Sequence, residues 1–301
     1  MGGCCNYDQG FGFRLFAPRH LRVLLIGLLL AAFPITSLFI SESSAEQTPD
    51  RARYSSPEDA PRLTFTPLKL AGGSKLTMIS PSKWSDVANE LLTTLSETHT
   101  QYAALFGSVP AFSTSIRLMD DVAFYELTGA PTWTNAMFFR GQIIIPINAD
   151  QPIDLENIHR SVRHEYTHAV VSAISGGRSP GWLDEGIAQW AEGVQNPALK
   201  PALRAWLKSN EPVPLRFLQG GFTKLNPTMV PAVYAQSLFA AESVMQVYGF
   251  KKITQYLNNL RSGLDKSEAF HLGFGISDQQ FELRLGMTLK QWAAGDTAHK
   301  K

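Results

Sequence analysis

From residue 62 onward the apolar residues first alternate in short runs and then recur at helical spacing. Leu63-Thr64-Phe65-Thr66 and Lys75-Leu76-Thr77-Met78-Ile79 alternate, with Gly72-Gly73 between them, which predicts a short hairpin. Val87, Leu91, Leu92, Leu95, Tyr102 and Phe106 fall on one helical face, predicting a helix over Ser85–Phe106 that Gly107 stops. Ser115-Ile116-Arg117-Leu118-Met119 reads as a strand, and residues 120–137, rich in Gly, Pro, Asp and Asn, read as a loop-rich insert. Gln142–Ile147 is a second apolar strand, and Pro146, which cannot donate to a ladder, places it at a sheet edge.

The rest is helical. Asp154 is a natural N-cap for a helix whose apolar face begins at Leu155, Ile158 and Val162, runs to Ile174 and stops at Gly176-Gly177. Helices follow over residues 181–191, 201–209, 231–248 (closed by Gly249), 250–261 and 278–285. A few strands followed mostly by helices predict the α+β class. The predicted edge strand lies just before the helix that starts after Asp154 and is expected beside it.

The N-terminal part has a different texture. Arg14, Arg19 and Arg22 precede Val23–Ile40, eighteen residues without a charge, followed by the polar Ser41–Ala45. Ser43 and Ala45 are small residues at the third and first positions before a cleavage after Ala45. This reads as an export segment over residues 1–45, with an uncleaved membrane anchor at residues 23–40 as the alternative. Either way the positive flank places the bulk of the chain outside the cytoplasm, in the periplasm or cell envelope or beyond it. Glu46 to Pro61, polar and carrying Pro49, Pro57 and Pro61, reads as a linker, and residues 62–301 as the functional domain.

Composition narrows the chemistry. The formal net charge of +1 gives no reason to expect a nucleic acid partner. The two cysteines are Cys4 and Cys5, so the domain has no disulfide, no thiol nucleophile and no thiolate metal ligand. A metal there must use His, Asp or Glu. Of seven histidines, His159, His164 and His168 fall within ten residues of one another.

Two histidines four apart on a helix lie on one face, separated by about 40° in projection. His164-Glu165-Tyr166-Thr167-His168 has this spacing, with a carboxylate after the first histidine: two ligands for one ion and a general base. Catalytic zinc takes three protein ligands and keeps one position open. Sixteen residues separate His168 from Glu185, room for a helix end, a Gly-Gly turn and a second helix folding back. Glu185 is the candidate third ligand, and Asp184 and Glu192 compete with it. His159 sits about 140° round the helix from His164, off the ligand face, and His99 reads as a packed or surface histidine. A third histidine of the metzincin kind is absent, since Val171 and Ile174 stand where Gly and His are required.

The pair His164-Glu165-Tyr166-Thr167-His168 and Trp182-Leu183-Asp184-Glu185-Gly186-Ile187-Ala188 resembles the gluzincin metallopeptidases. It is most similar to the compact peptidase MA-like domains of exported bacterial proteins, in which H-E-x-T-H is followed by a Gly-rich turn and W-L-x-E-G-x-A. Tyr234-Ala235-Gln236-Ser237 and the stretch from Ala269-Phe270 to Gly275 extend the resemblance, so that it covers about residues 80–290. It implies a thermolysin-like zincin fold with a small mixed sheet and an edge strand beside the zinc helix. It also implies one zinc ion held by His164, His168 and Glu185, with Glu165 as base, and a peptide or protein substrate. Gluzincins stabilise the oxyanion with a Tyr or His, and Tyr234, near the start of the helix after the site, is the candidate. Tyr166 points off the ligand face. The G-x-M-E-N element by which M1 aminopeptidases recognise a free amino terminus is missing, which favours an endopeptidase. Two other functions share these residues: a cell-envelope scaffold that keeps the fold without turnover, and a zinc hydrolase of a non-peptide amide.

Overall fold

The computed structural model describes residues 61–130, 134–139, 141–193, 196–222, 225–226 and 228–295. The expected export segment and the linker up to residue 60 lie outside them. Among the described residues no helix is long and apolar enough to cross a membrane.

The first strands form the expected hairpin. β1 (Leu63–Lys69) pairs antiparallel with β2 (Lys75–Pro81), Leu63 opposite Pro81. Helix α1 (Ser85–Phe106) then crosses to β3 (Ser113–Asp120), which lies parallel to β2. Next come α2 (Asp121–Thr128), β4 (Met137–Phe139) and β5 (Gln142–Ile147). The five-stranded mixed sheet has the order β1-β2-β3-β5-β4, and the helices that follow give the α+β architecture.

Two local expectations are corrected here. Gln142–Ile147 is an interior strand, parallel to β3 on one side and antiparallel to β4 on the other. Its continuous isoleucine run has the cause that such runs have in doubly covered strands. Ile143 and Ile145 face the main core, while Ile144 packs with Met119, Ala123 and Phe124 on the opposite face. Pro146 is tolerated because β4 pairs only with Gln142 to Ile144, so the proline lies past the end of that ladder. The edge strand beside the helix that carries His164 and His168 is β4. The second correction concerns residues 120–137, where a loop was expected. Asp120 caps α2 by accepting from the Val122 amide, Phe124 is buried, and Gly129 ends the helix in the left-handed conformation.

Helix α3 (Leu155–Ser175) is capped by Asp154, whose carboxylate accepts from the Asn157 amide, and ends at Gly176 with φ of 64°. Its back is fastened to α1 by buried polar contacts. The Ala71 carbonyl can only accept, so Nε2 of His99 donates to it and Nδ1 accepts from the Tyr166 hydroxyl, 2.7 Å away. Thr167 donates to the Arg163 carbonyl, which leaves its oxygen to accept from Tyr102. The Tyr102 and Tyr166 rings stack, and burial pushes the Tyr102 hydroxyl up to about 12, so it stays a donor.

Helix α4 (Gly181–Ala191) folds back along α3, and its first amides are satisfied by loop carbonyls, Gly181 by Gln219 and Trp182 by Leu218. Then come α5 (Leu199–Leu207), α6 (Val230–Arg261), α7 (Lys266–Phe274) and α8 (Asp278–Ala293). Gly249, with φ of 73° and ψ of 167°, breaks α6 where a helix end was expected. Helices α4 and α6 meet through small residues: a Cβ on Gly186 would lie 2.3 Å from the Ser237 carbonyl oxygen and 2.6 Å from the Ala241 Cβ.

Gly186→Ala must therefore push α4 away from α6. We expect a loss of about 1–3 kcal/mol, the range of overpacking, measured by chemical denaturation.

Candidate metal centre

α3 presents His164 and His168 one turn apart toward α4, with ring centroids 4.9 Å apart and planes at 77°. The Gly176-Gly177 turn lets α4 return so that Glu185 faces both rings. Its Oε1 lies 3.2 Å from His164 Nε2 and its Oε2 lies 3.8 Å from His168 Nε2. One ligand atom from each of the three residues lies within 4.8 Å of the others. Bonds of about 2.1 Å to a tetrahedral ion place ligands about 3.4 Å apart, so the cluster has the dimensions of a zinc-type site. The buried Oε1 of Glu185 accepts no hydrogen bond, which is costly for a carboxylate unless a cation sits against it. The donor set fits a divalent metal ion.

Each imidazole is backed by a second carboxylate. His164 Nδ1 lies 2.8 Å from Glu192 Oε1 and bonds to it, which turns Nε2 toward Glu185. His168 Nδ1 lies 3.1 Å from Asp184 Oδ1, although off the direction of a hydrogen bond. Carboxylates behind metal-bound histidines fix the tautomer and ring angle and raise ligand basicity. Asp184 and Glu192 thus stand behind the ligands rather than among them. Sequence reasoning had placed both only as rivals of Glu185, although the seven-residue interval from Glu185 to Glu192, two turns of one helix, signals a shared face. Arg160 approaches Glu192 to 3.6 Å, and Arg163 donates to the Glu192 carbonyl.

Burial pushes the pKa of His164 down, but Glu185, then Glu192 and Glu165, overcome it and hold it well above 6.5. His168 is pressed down by burial in the same way and is carried up to about 9 by Asp184 and Glu185. Burial would raise the Glu185 carboxyl, yet His164 and His168 hold it below the usual range.

Glu165 points to the side of the ligand face, and its Oε2 accepts from the backbone amide of Phe138 in β4, 2.6 Å away. The edge strand thus holds this carboxylate next to the cluster. Tyr234 on α6 lines the same cleft and packs edge-to-face on Phe222 at 5.3 Å. Burial first, then Glu185, Glu165 and Glu192, push its hydroxyl far above the ordinary value, so Tyr234 is a proton donor at any working pH. His159 binds Thr94 and faces Glu90 away from the cluster, and His99 and Tyr166 lie buried behind α3.

The cleft extends to both sides of the cluster. One cavity of about 480 Å³ runs past His168 toward Ser172 and Phe222. Another of about 600 Å³ runs past His164 toward Arg160, Leu199 and Val230. They share Thr134, Ala136, His164, Glu165 and Tyr234.

Residues 108–290 match the peptidase MA superfamily. No curated protein matches the chain in sequence. Among solved structures, aminopeptidase A of Legionella pneumophila, crystallised with aspartic acid, is 15% identical with a TM-score of 0.50, over 75% of this chain and 28% of that one. A mutant M1 zinc metallopeptidase of Deinococcus radiodurans is 16% identical with a TM-score of 0.42, over 79% of this chain and 53% of that one. The chain spans between about a quarter and about half of these larger proteins, and the likeness to the first is one of fold.

Two expectations follow from the carboxylates around the histidines. Glu192→Gln weakens metal affinity by about 10–100-fold, read by competition with a chromophoric chelator. After chelation both imidazoles are protonated at neutral pH. Because their folded pKa values are raised, that stabilisation is full below 6.5 and is lost as pH rises through about 9. The melting temperature of the chelated protein therefore falls across that window in a thermal-unfolding pH series.

Proposed function

Because the chain belongs to the peptidase MA superfamily, we propose that it is a zinc-dependent peptidase, an endopeptidase, that hydrolyses peptide bonds with Glu165 as general base. The observation that carries this reading is the convergence of His164, His168 and Glu185 on one point with Glu165 fixed beside it. One zinc ion held by the three ligands would supply Lewis acidity and a more acidic water. Glu165 then takes the proton of the attacking water and hands it to the leaving amine. The amide of Phe138 orients one oxygen of Glu165 and leaves the other for proton transfer. Tyr234, kept protonated by its surroundings, donates to the developing oxyanion. Glu192 holds His164 in the ligating tautomer through its hydrogen bond to Nδ1, and Asp184 stands 3.1 Å behind Nδ1 of His168.

Endopeptidase action is supported by the cleft's extension to both sides of the cluster, which gives a chain room before and after the scissile bond. An extended substrate would lie along the edge strand β4 by β-addition. On this reading residues 1–45 direct export or anchor the protein, residues 46–61 are the linker, and residues 62–301 work as one peptidase domain outside the cytoplasm.

Glu165→Gln is expected to lower kcat by about 10²–10⁴-fold while leaving one zinc bound per chain. Tyr234→Phe is expected to lower kcat by about 10²–10³-fold with little change in KM. Both are read by cleavage profiling of a peptide library together with metal analysis. Wild-type protein that carries zinc and cleaves no peptide would refute the proposed activity.

A further inference from the structure

One wall of the cavity past His168 is built of residues with small side chains or none, and the reasons differ along it. Gly177 has φ of 72°, a conformation that L side chains avoid. Gly181 has no space, since a Cβ there would lie 2.2 Å from the Gly220 carbonyl oxygen. Gly220 and Gly221 meet neither condition. Neither has a left-handed φ, and a Cβ on either would meet no atom within 4 Å. The fold does not require glycine at these two positions, yet both line the cavity. What they provide is open room and bare backbone at the rim of the cleft, a use of glycine common where a ligand passes close.

The other walls say what that room suits. Phe138 of β4 lines it from one side, and Phe222 against Tyr234 from another. No lysine or arginine is among the described lining residues, and the acids there, Glu165, Asp184 and Glu185, belong to the ligand cluster. An anionic side chain entering the cavity would lose water and meet no lysine or arginine among the described lining residues, and the only carboxylates a cationic one could meet are those of the ligand cluster.

We propose that Gly220 and Gly221 set the size of the substrate side chain accepted on this side of the scissile bond, and that the space they leave admits a bulky uncharged residue, aromatic or large aliphatic. The proposal rests on the peptidase reading above. Its test uses the full-length, zinc-loaded protein and peptides that carry Phe or Ala at each residue flanking the scissile bond in turn. At one of these positions the wild type is expected to favour Phe at least tenfold in kcat/KM. Gly220→Leu, Gly221→Leu or the double variant should cut that preference at least tenfold and leave the preference at the other position as it was. Gly286→Leu on α8, where a Cβ also meets nothing, should change neither. A wild type without the preference, or a preference that survives the double variant, overturns the proposal. The same peptides are titrated against Glu165→Gln with and without Gly221→Leu, where the ratio of Kd values reports the pocket without turnover. Discrimination in binding by a wild type that cleaves nothing would refute the peptidase reading and keep the pocket. Cleavage with equal Kd for Phe and Ala peptides would refute the pocket alone, and absence of binding would refute both.

Discussion

The contact between Gly186 and the Ser237–Ala241 face of α6 governs the rest of the site. Glu185 reaches the two imidazoles only if α4 lies close along the core, and α4 lies that close only because residue 186 has no side chain. The neighbouring face of α6 is built to match, with Ser237, Ala240 and Ala241 all buried. The glycine after the candidate ligand is therefore part of how the ligand is placed. Helix α3 is fixed from its other side by Tyr102, Tyr166 and His99, so the two helices that carry the cluster are held independently.

Electrostatics and packing work against each other around the cluster. Asp184, Glu185 and Glu192 are brought up to two imidazoles in a place with little water, and the histidines respond by binding protons strongly. Such a group of acids is expensive to assemble, and a cation among the three ligand atoms relieves it. The same carboxylates that make the imidazoles basic orient them, so charge balance and ligand geometry are set by the same residues.

Most of this was legible from sequence wherever a local rule acts alone. The hairpin, the α1 face, the Asp154 cap and the Gly176 and Gly249 stops were all readable as written. So were the residues that converge: i, i+4 spacing sets the two histidines on one face, and the match of Trp182–Ala188 to the gluzincin motif singled out Glu185 from Asp184 and Glu192. What was misread depends on neighbours. Pro146 pointed to an edge strand correctly for its own position, but the short β4, with only three residues, left no periodic signal to show that Gln142–Ile144 was covered. Helix α2 was hidden by a composition that also suits loops. The supporting roles of Asp184 and Glu192 depend on which side of a ring each carboxylate occupies, which no spacing within one helix specifies. Likewise, nothing local joins Glu165 to the Phe138 amide, 27 residues away.

The first turn of α4 has a mechanical consequence. Its amides hang on the carbonyls of Leu218 and Gln219, the residues directly before the glycine rim of the cleft. The rim and the helix that carries Glu185 are thus hinged together. Anything that pries the rim outward would pull on the helix that carries Glu185, so the width of the cleft and the distance of Glu185 from the two imidazoles would change together.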